Sequence, residues 1–570
     1  MKAGKQLNIR IEKDSLVTIS GRIKALLLAS RSASLTLIIA ACVSGFTNLH
    51  AASFPQTVQI DNGPVKGVLN GKLAVTSFKG IPFAAPPVGE LRWKAPMPAA
   101  KWTETLNADH FGNSCRQVTR HGASGGRAFS SESRVPNETS EDCLYLNVWT
   151  PAKNAGDKLP VMVWIYGGGF QVGSGAVPIY DGEGLASKGV VVVSFNYRLG
   201  IFGFLTHPDL DKESPHAVSG NYGTLDQIAA LQWVARNVGA FGGDPERVTI
   251  FGQSAGGGSV QFLSLSPLAK GLFQRAISEN GTLSPDDPFL QERSPSANKT
   301  LKQAESDDLD YLRKAGVGSL QQLRSMTTAQ IEALPLAPFP PAFFCPTIDG
   351  WVLPEGFAET YAHGTQNDVP FMVGWTSSYY PQLKITVAQF QKWAQQRYGA
   401  LSTEFLALYP ASTDEQAAQA VEQAARDSYR TSIFLWAEAR QKNFKTYLYY
   451  FNHPLPGPDA ARLGATAGSE IPYVLDSLSK SSRPFVKDDY ALADTMTSFW
   501  GNFGATADPN GKDLAQWPAF SPNQKVVMQL GDNDGPIPVA TDARFEFFKR
   551  YFASKPQKCG FAQGCSIDMQ

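Results

Sequence analysis

The sequence has almost no net charge and few groups that hold a metal. Lys plus Arg and Asp plus Glu each number 51 in 570 residues, so there is no basic field for nucleic acid or an anionic membrane surface. The seven histidines and six cysteines are scattered, and none has metal-ligand spacing. With no phosphate loop either, the residues imply no cofactor. No repeat, low-complexity block or long linker divides the chain. Its 51 glycines and 38 prolines exclude a coiled coil or long-helix bundle. What is present is material for a large core: 43% of residues are hydrophobic and 18% charged, which excludes intrinsic disorder.

The charge balance conceals an asymmetry. Residues 1–52 carry seven basic and two acidic side chains, leaving 44 positive and 49 negative charges, net −5, on the remainder. That first stretch reads as an export leader: a long basic region, the apolar run Leu35–Val43, then small residues with cleavage near Ala51 or Ala52. The run is far shorter than the roughly 20 residues of a spanning helix. Ile39-Ala40-Ala41-Cys42 also has the shape of a bacterial lipoprotein box. The expectation is therefore a secreted or periplasmic protein, meeting a membrane only if lipidated at Cys42. Cysteine usage agrees with export. Cys115 and Cys143 would close a 28-residue loop, Cys559 and Cys565 would pair across the C-terminal tail, and Cys345 is left as a buried thiol.

Short β-branched runs alternate with helical patterns. Val161–Ile165, Val190–Phe195 and Val248–Phe251 read as strands covered on both faces. Between the last two, Ile228, Leu231 and Val234 recur at helical spacing in Thr224–Val238, which Gly242-Gly243-Asp244-Pro245 stops. Further strands are expected at Val369–Val373 and Lys445–Phe451. The pattern predicts one large α/β domain over 53–570, with parallel central strands and helical insertions around 285–340 and 383–440.

Two motifs carry chemistry. Gly252-Gln253-Ser254-Ala255-Gly256 follows the strand Val248–Phe251 and precedes the helix-compatible Val260–Leu265. A serine there sits on a tight strand-to-helix turn that presents its hydroxyl as a nucleophile at the positive end of a helix. A helix N-cap would explain the serine but not both glycines. Tyr166-Gly167-Gly168-Gly169-Phe170 follows the strand Val161–Ile165. Its backbone N–H groups at Gly168 and Gly169, with that of Ala255, suit a three-donor oxyanion hole. The plain alternative is a glycine turn.

These motifs, with Phe78-Lys79-Gly80-Ile81-Pro82-Phe83-Ala84-Ala85-Pro86-Pro87, Glu141-Asp142-Cys143-Leu144-Tyr145-Leu146-Asn147, Gly220-Asn221-Tyr222-Gly223, Phe241-Gly242-Gly243-Asp244-Pro245, Glu470-Ile471-Pro472-Tyr473-Val474 and Asp508-Pro509-Asn510, resemble the type-B carboxylesterase/cholinesterase family, on its bacterial para-nitrobenzyl-esterase-like or fumonisin-esterase-like side. The likeness runs through roughly residues 57–550. It implies an α/β-hydrolase fold, a Cys115–Cys143 disulfide and a Ser–Glu–His triad.

The triad is where this chain departs. Aligning Val369–Gly374 with the family's acid motif places the acid position on Tyr379, and aligning Gly468–Tyr473 with the base motif places the histidine position on Ala467. Losing a triad member costs roughly 10⁴ to 10⁶ in kcat, and a second loss adds little because the triad acts as a unit. The oxyanion hole and binding alone retain roughly 10³ to 10⁴ over water. Turnover on that basis takes minutes to hours. His453, beside Pro454 at a predicted strand end, reads as a packing or surface residue. Tyr379 reads as filling the space beside Ala467, with a water-bridged reach to Ser254 as its catalytic alternative. Glu470 matches a recurrent family position behind the site and has no evident catalytic role. The expectation is a serine carboxylesterase-type hydrolase acting on a small-molecule ester. The alternative is a pseudo-hydrolase that binds a small ligand, or a catalyst of non-hydrolytic rearrangement in the acyl pocket.

Overall fold

Eleven strands form the central sheet of the computed structural model, which describes residues 54–117, 135–288, 299–335, 344–378, 383–440 and 443–554. In chain order they are β1 (Val68–Asn70), β2 (Val75–Pro82), β3 (Tyr145–Thr150), β4 (Leu159–Ile165), β5 (Val191–Phe195), β6 (Gly243–Gln253), β7 (Arg275–Glu279), β8 (Phe371–Thr376), β9 (Thr446–Phe451), β10 (Val526–Leu530) and β11 (Gly535–Pro538). Across the sheet the order is β1-β2-β3-β5-β4-β6-β7-β8-β9-β10-β11. Every pairing from β5 through β10 is parallel, and the pairings at the two ends are antiparallel. This is the mostly parallel, helix-flanked sheet of an α/β-hydrolase fold.

The continuous apolar runs are explained by their positions. Val161, Met162, Val163, Trp164 and Ile165 are all fully buried, as are Phe371, Met372 and Val373, because helices cover both faces and neither side of the strand meets water. The helix expected over 224–238 is α1, Tyr222–Asn237, extended by a 3-10 turn to Phe241 and stopped at Gly242 with φ 79°. β6 then starts at once at Gly243, with an irregularity before Val248. β8 begins later than expected from the apolar run, at Phe371. Pro370 has no N–H for the ladder, and only its carbonyl engages, accepting from Ala276.

The described parts of the two stretches marked by the sequence pattern contain helices, among them α3 (Leu301–Lys314) in the first and α4 (Val387–Tyr398) and α5 (Asp414–Arg440) in the second. A second apolar core joins α4 and the first half of α5 to the C-terminal helix, through Phe390, Trp393, Phe405, Phe547 and Tyr551. Among the described residues no helix is long and apolar enough to cross a membrane.

Cys115 and Cys143 form a disulfide, and Cys345 is a buried free thiol pushed up to about 12 by burial. Cys42, Cys559 and Cys565 lie outside the described residues. Replacing Cys115 and Cys143 together by alanine is expected to cost about 2–5 kcal/mol, since the bridge restricts the unfolded chain across its loop. A denaturant midpoint unchanged from wild type under oxidising conditions would contradict this.

Candidate active site

β6 ends at Gln253 and the next helix, α2 (Ala255–Leu265), starts two residues later, so Ser254 alone makes the turn. It does so at φ 57° and ψ −122°, a conformation that costs a non-glycine residue roughly 1–3 kcal/mol. Two backbone bonds hold it there: the Ser254 N–H donates to the Glu279 carbonyl at 2.8 Å, and the Gly258 N–H donates to the Ser254 carbonyl at 2.8 Å. The flanking glycines are required sterically. A Cβ on Gly256 would lie 2.0 Å from the Ile165 carbonyl oxygen, and one on Gly252 would lie 2.4 Å from the same atom. Ser254 occupies the N-cap position of α2 but makes no side-chain cap bond. Helix capping therefore does not account for it. The residue is half-buried.

The glycine run after β4 lies against this turn. A Cβ on Gly167 would stand 2.4 Å from the Gln253 carbonyl oxygen and 3.0 Å from Ser254 Cβ. Gly168 and Gly169 adopt φ 121° and 63°. The backbone N–H groups of Gly168, Gly169 and Ala255 donate to no described residue. Neighbours fix the loop on both sides. Tyr166 stacks on Tyr197 at 4.6 Å, and the Tyr197 hydroxyl donates to the Tyr166 carbonyl at 2.9 Å. The Gly200 N–H donates to the Phe170 carbonyl at 2.7 Å. Gln117, two residues beyond the bridged Cys115, exchanges two hydrogen bonds of 2.9 Å with the Gly173 backbone.

Ala467 is half-buried in a turn closed by the Ser469 N–H donating to the Thr466 carbonyl at 3.0 Å. That turn meets the end of β8, where the Ser378 N–H donates to the Ala465 carbonyl at 2.9 Å. Tyr379, the next residue, lies outside the described residues. The five described histidines are all engaged elsewhere. His110 pairs with Asp109, His207 caps a helix at Asp209, His216 stacks on Trp351, and His363 pairs with Glu355. His453 is held through Nδ1 by Asp532 at 2.7 Å and through Nε2 by Asp489 at 3.1 Å. No ring nitrogen of His453 is left to take a proton from serine.

Beneath the turn lies a polar cluster that the linear sequence does not announce. Gln253, Glu279, Gly374 and Tyr449 are successive register partners across β6, β7, β8 and β9, so they line one face of the sheet. Gly374 has no side chain because the Tyr449 ring comes within 2.2 Å of where its Cβ would be. Glu279 accepts a hydrogen bond from Trp500 Nε1 at 2.8 Å, on α6 (Lys487–Thr506). Asn280 donates from Nδ2 to Glu470 Oε1 at 2.6 Å, while its Oδ1 accepts from the Thr376 N–H at 2.8 Å. Glu279 and Glu470 are fully buried. Among the described residues Glu279 Oε2 has no hydrogen-bond donor and neither Gln253 Nε2 nor the Tyr449 hydroxyl has a partner, while the Glu470 carboxyl also faces the backbone N–H groups of Gly468 and Glu470. Burial pushes Glu470 up to about 7. Burial, and then the Glu470 charge, hold Glu279 well above the usual carboxylate range. The sequence pattern did not mark this strand: Glu279 closes β7, whose preceding three residues are fully buried.

Residues 55–547 match the Carboxylesterase family. The chain is 36% identical over 518 residues to the Fumonisin B1 esterase of Sphingopyxis macrogoltabida, covering 85% of this chain and 91% of that protein. It is 34% identical over 531 residues to the para-nitrobenzyl esterase of Bacillus subtilis (strain 168), covering 88% and 99% respectively. A solved structure of a PNB esterase superposes with a TM-score of 0.70 at 31% identity, over 87% of this chain and all of that one. Sequence likeness and fold together support an esterase-type hydrolase.

Proposed function

We propose that this chain, which belongs to the carboxylesterase family, hydrolyses a small-molecule carboxylic ester through an acyl intermediate on Ser254. The observation that carries the reading is the strained conformation of Ser254 beside three backbone N–H groups without described partners. A protein folds around such a cost when the geometry has a use. In this reading Ser254 Oγ bonds to the ester carbonyl carbon, and the oxygen that gains charge is received by the N–H groups of Gly168, Gly169 and Ala255. Donors fixed before the reaction need no reorganisation as the charge develops, and removal of one such donor typically costs about 10² to 10³ in rate. Collapse expels the alcohol, and water then releases the acid. Fumonisin B1 and para-nitrobenzyl esters, named for the relatives, indicate ester substrates as a class.

Ala467 favours a second reading. With alanine at the histidine position, the acyl pocket would bind an ester-like ligand without turning it over at a useful rate, or catalyse a non-hydrolytic rearrangement. An organophosphonate separates the two. Intact mass is expected to show one adduct per chain, mapped to Ser254 and absent from Ser254→Ala. A folded wild-type protein that stays unmodified after prolonged exposure would establish the second reading in place of the first.

A further inference from the structure

We propose that Gln117 is a positioning residue for acyl transfer, clamping Gly173 so that the peptide carrying the Gly168 N–H is held in place. The inference rests on the acyl-serine reading above, in which that N–H receives the oxyanion. A backbone donor serves a developing charge only while its peptide plane is fixed, and a glycine run does little to fix itself. In a trans peptide the N–H points opposite to the carbonyl. Whatever backs the Gly167 carbonyl therefore sets the direction of the Gly168 N–H. Gly173 backs it: a Cβ on Gly173 would lie 2.7 Å from the Gly167 carbonyl oxygen and 2.4 Å from the Tyr166 ring. The Val172 carbonyl packs on the next residue, 2.0 Å from where a Cβ on Gly168 would be. That carbonyl and the Gly173 N–H belong to one rigid peptide. Both contacts are thus governed by how Gly173 is held.

Gln117 holds Gly173 at both of its polar groups. Its Oε1 accepts from the Gly173 N–H and its Nε2 donates to the Gly173 carbonyl, each at 2.9 Å. Nε2 also donates to the Cys115 carbonyl at 3.0 Å, so both amide protons are used and the amide fits only one way round. The side chain is buried, where a lost partner is costly to replace. The segment that carries Gln117 is itself anchored. Cys115 is bridged to Cys143, and Ser114 Oγ lies 2.7 Å from Ser174 Oγ. Asn196 ties the same two segments together: its Nδ2 donates to the Asn113 and Cys143 carbonyls at 2.9 and 3.2 Å, and its Oδ1 accepts from the Gly175 N–H at 2.9 Å. Among the described residues the bonds of Gln117 go only to the backbone of Cys115 and Gly173. Its effect on Ser254 therefore passes through the glycine loop.

The test compares two serine-labelling probes with the same leaving group, diethyl 4-nitrophenyl phosphate and its P=S analogue, by intact mass on the full chain. Sulfur accepts hydrogen bonds weakly, so backbone donors at the reacting centre favour the P=O probe. Wild type is expected to favour it more strongly than hydroxide in water does. Gln117→Met keeps the length of the side chain and makes neither bond to Gly173. It is expected to slow the P=O probe by about 10 to 10², the scale of a small misplacement, and the P=S probe by less than about threefold. Gln117→Asn keeps the amide but withdraws it by one methylene, and the same loss of preference is expected, so the outcome does not hang on one variant folding. Equal slowing of both probes would overturn the proposal, because a merely structural role weakens both alike. Unchanged rates in both variants would overturn it while leaving the acyl-serine reading intact. A wild type with no preference beyond that of hydroxide would overturn it together with the assigned donors. No adduct on wild-type Ser254 would overturn both readings.

Discussion

Hydrolysis of a small aryl ester is expected to rise by at least about 10² when Ala467→His and Tyr379→Glu are made together. The expectation follows from the positions that the family resemblance assigns to the triad and from the turn that Ser254 makes. Ser254 keeps its strained turn, the glycine run lies against it, and its N–H donors are unoccupied by other described residues. The family resemblance assigns the base and acid positions to Ala467 and Tyr379, and the Ser378 N–H donates to the Ala465 carbonyl, which ties the residues after β8 to the turn of Ala467. Ala467→His alone is expected to give less. An imidazole without a carboxylate on its far nitrogen is not held in the tautomer that accepts from serine. Ser254→Ala in the double variant should abolish the gain. No increase from a folded double variant would show that the backbone donors do not serve an oxyanion.

The second large effect is on stability. Gly256→Ala is expected to destabilise the fold by about 3 kcal/mol or more and to abolish labelling of Ser254. Its Cβ would stand 2.0 Å from the Ile165 carbonyl oxygen, 2.8 Å from the Ile165 carbonyl carbon and 2.9 Å from that of Tyr166. All three are backbone atoms of β4 and the glycine loop, so either the start of α2 or the oxyanion loop must move. Gly258→Ala, two residues along the same helix, is the control. Its Cβ would meet nothing closer than 3.9 Å, and alanine is favoured over glycine in a helix by about 1 kcal/mol. Thermal unfolding of the two variants should therefore move in opposite directions, or leave Gly258→Ala unchanged. Equal melting temperatures would contradict the steric account.

The parallel strands β4, β5, β6, β8 and β9 and the serine turn were legible because their signals are local, whereas β7, in the middle of the sheet, was not among the strands expected. A strand buried on both faces is an unbroken apolar run, as in Val161–Ile165. A turn made by one residue needs small neighbours within two positions of Ser254. The edge strands β1 and β11, and β10 beside the latter, gave no such signal. Val68 is half-exposed and Pro536 sits within β11, so neither edge shows a clean period. Only one member of the carboxyl pair was legible. Glu470 falls in a family-like motif, but Glu279 closes a strand that the sequence pattern did not mark, and 190 residues separate Asn280, the neighbour of Glu279, from Glu470. Only the sheet register places Gln253, Glu279 and Tyr449 in one row. His453 shows the reverse. Its place at a strand end was plain, and its two carboxylate partners come from α6 and from the loop after β10.

The most direct measurement of the central claim is acid quenching during turnover of an activated aryl ester, followed by intact mass and peptide mapping. The account predicts a mass increase of one acyl group, located on Ser254, forming faster than it decays and missing from Ser254→Ala. An acyl group on any other residue, or product released with no acylated chain at any time, would contradict it.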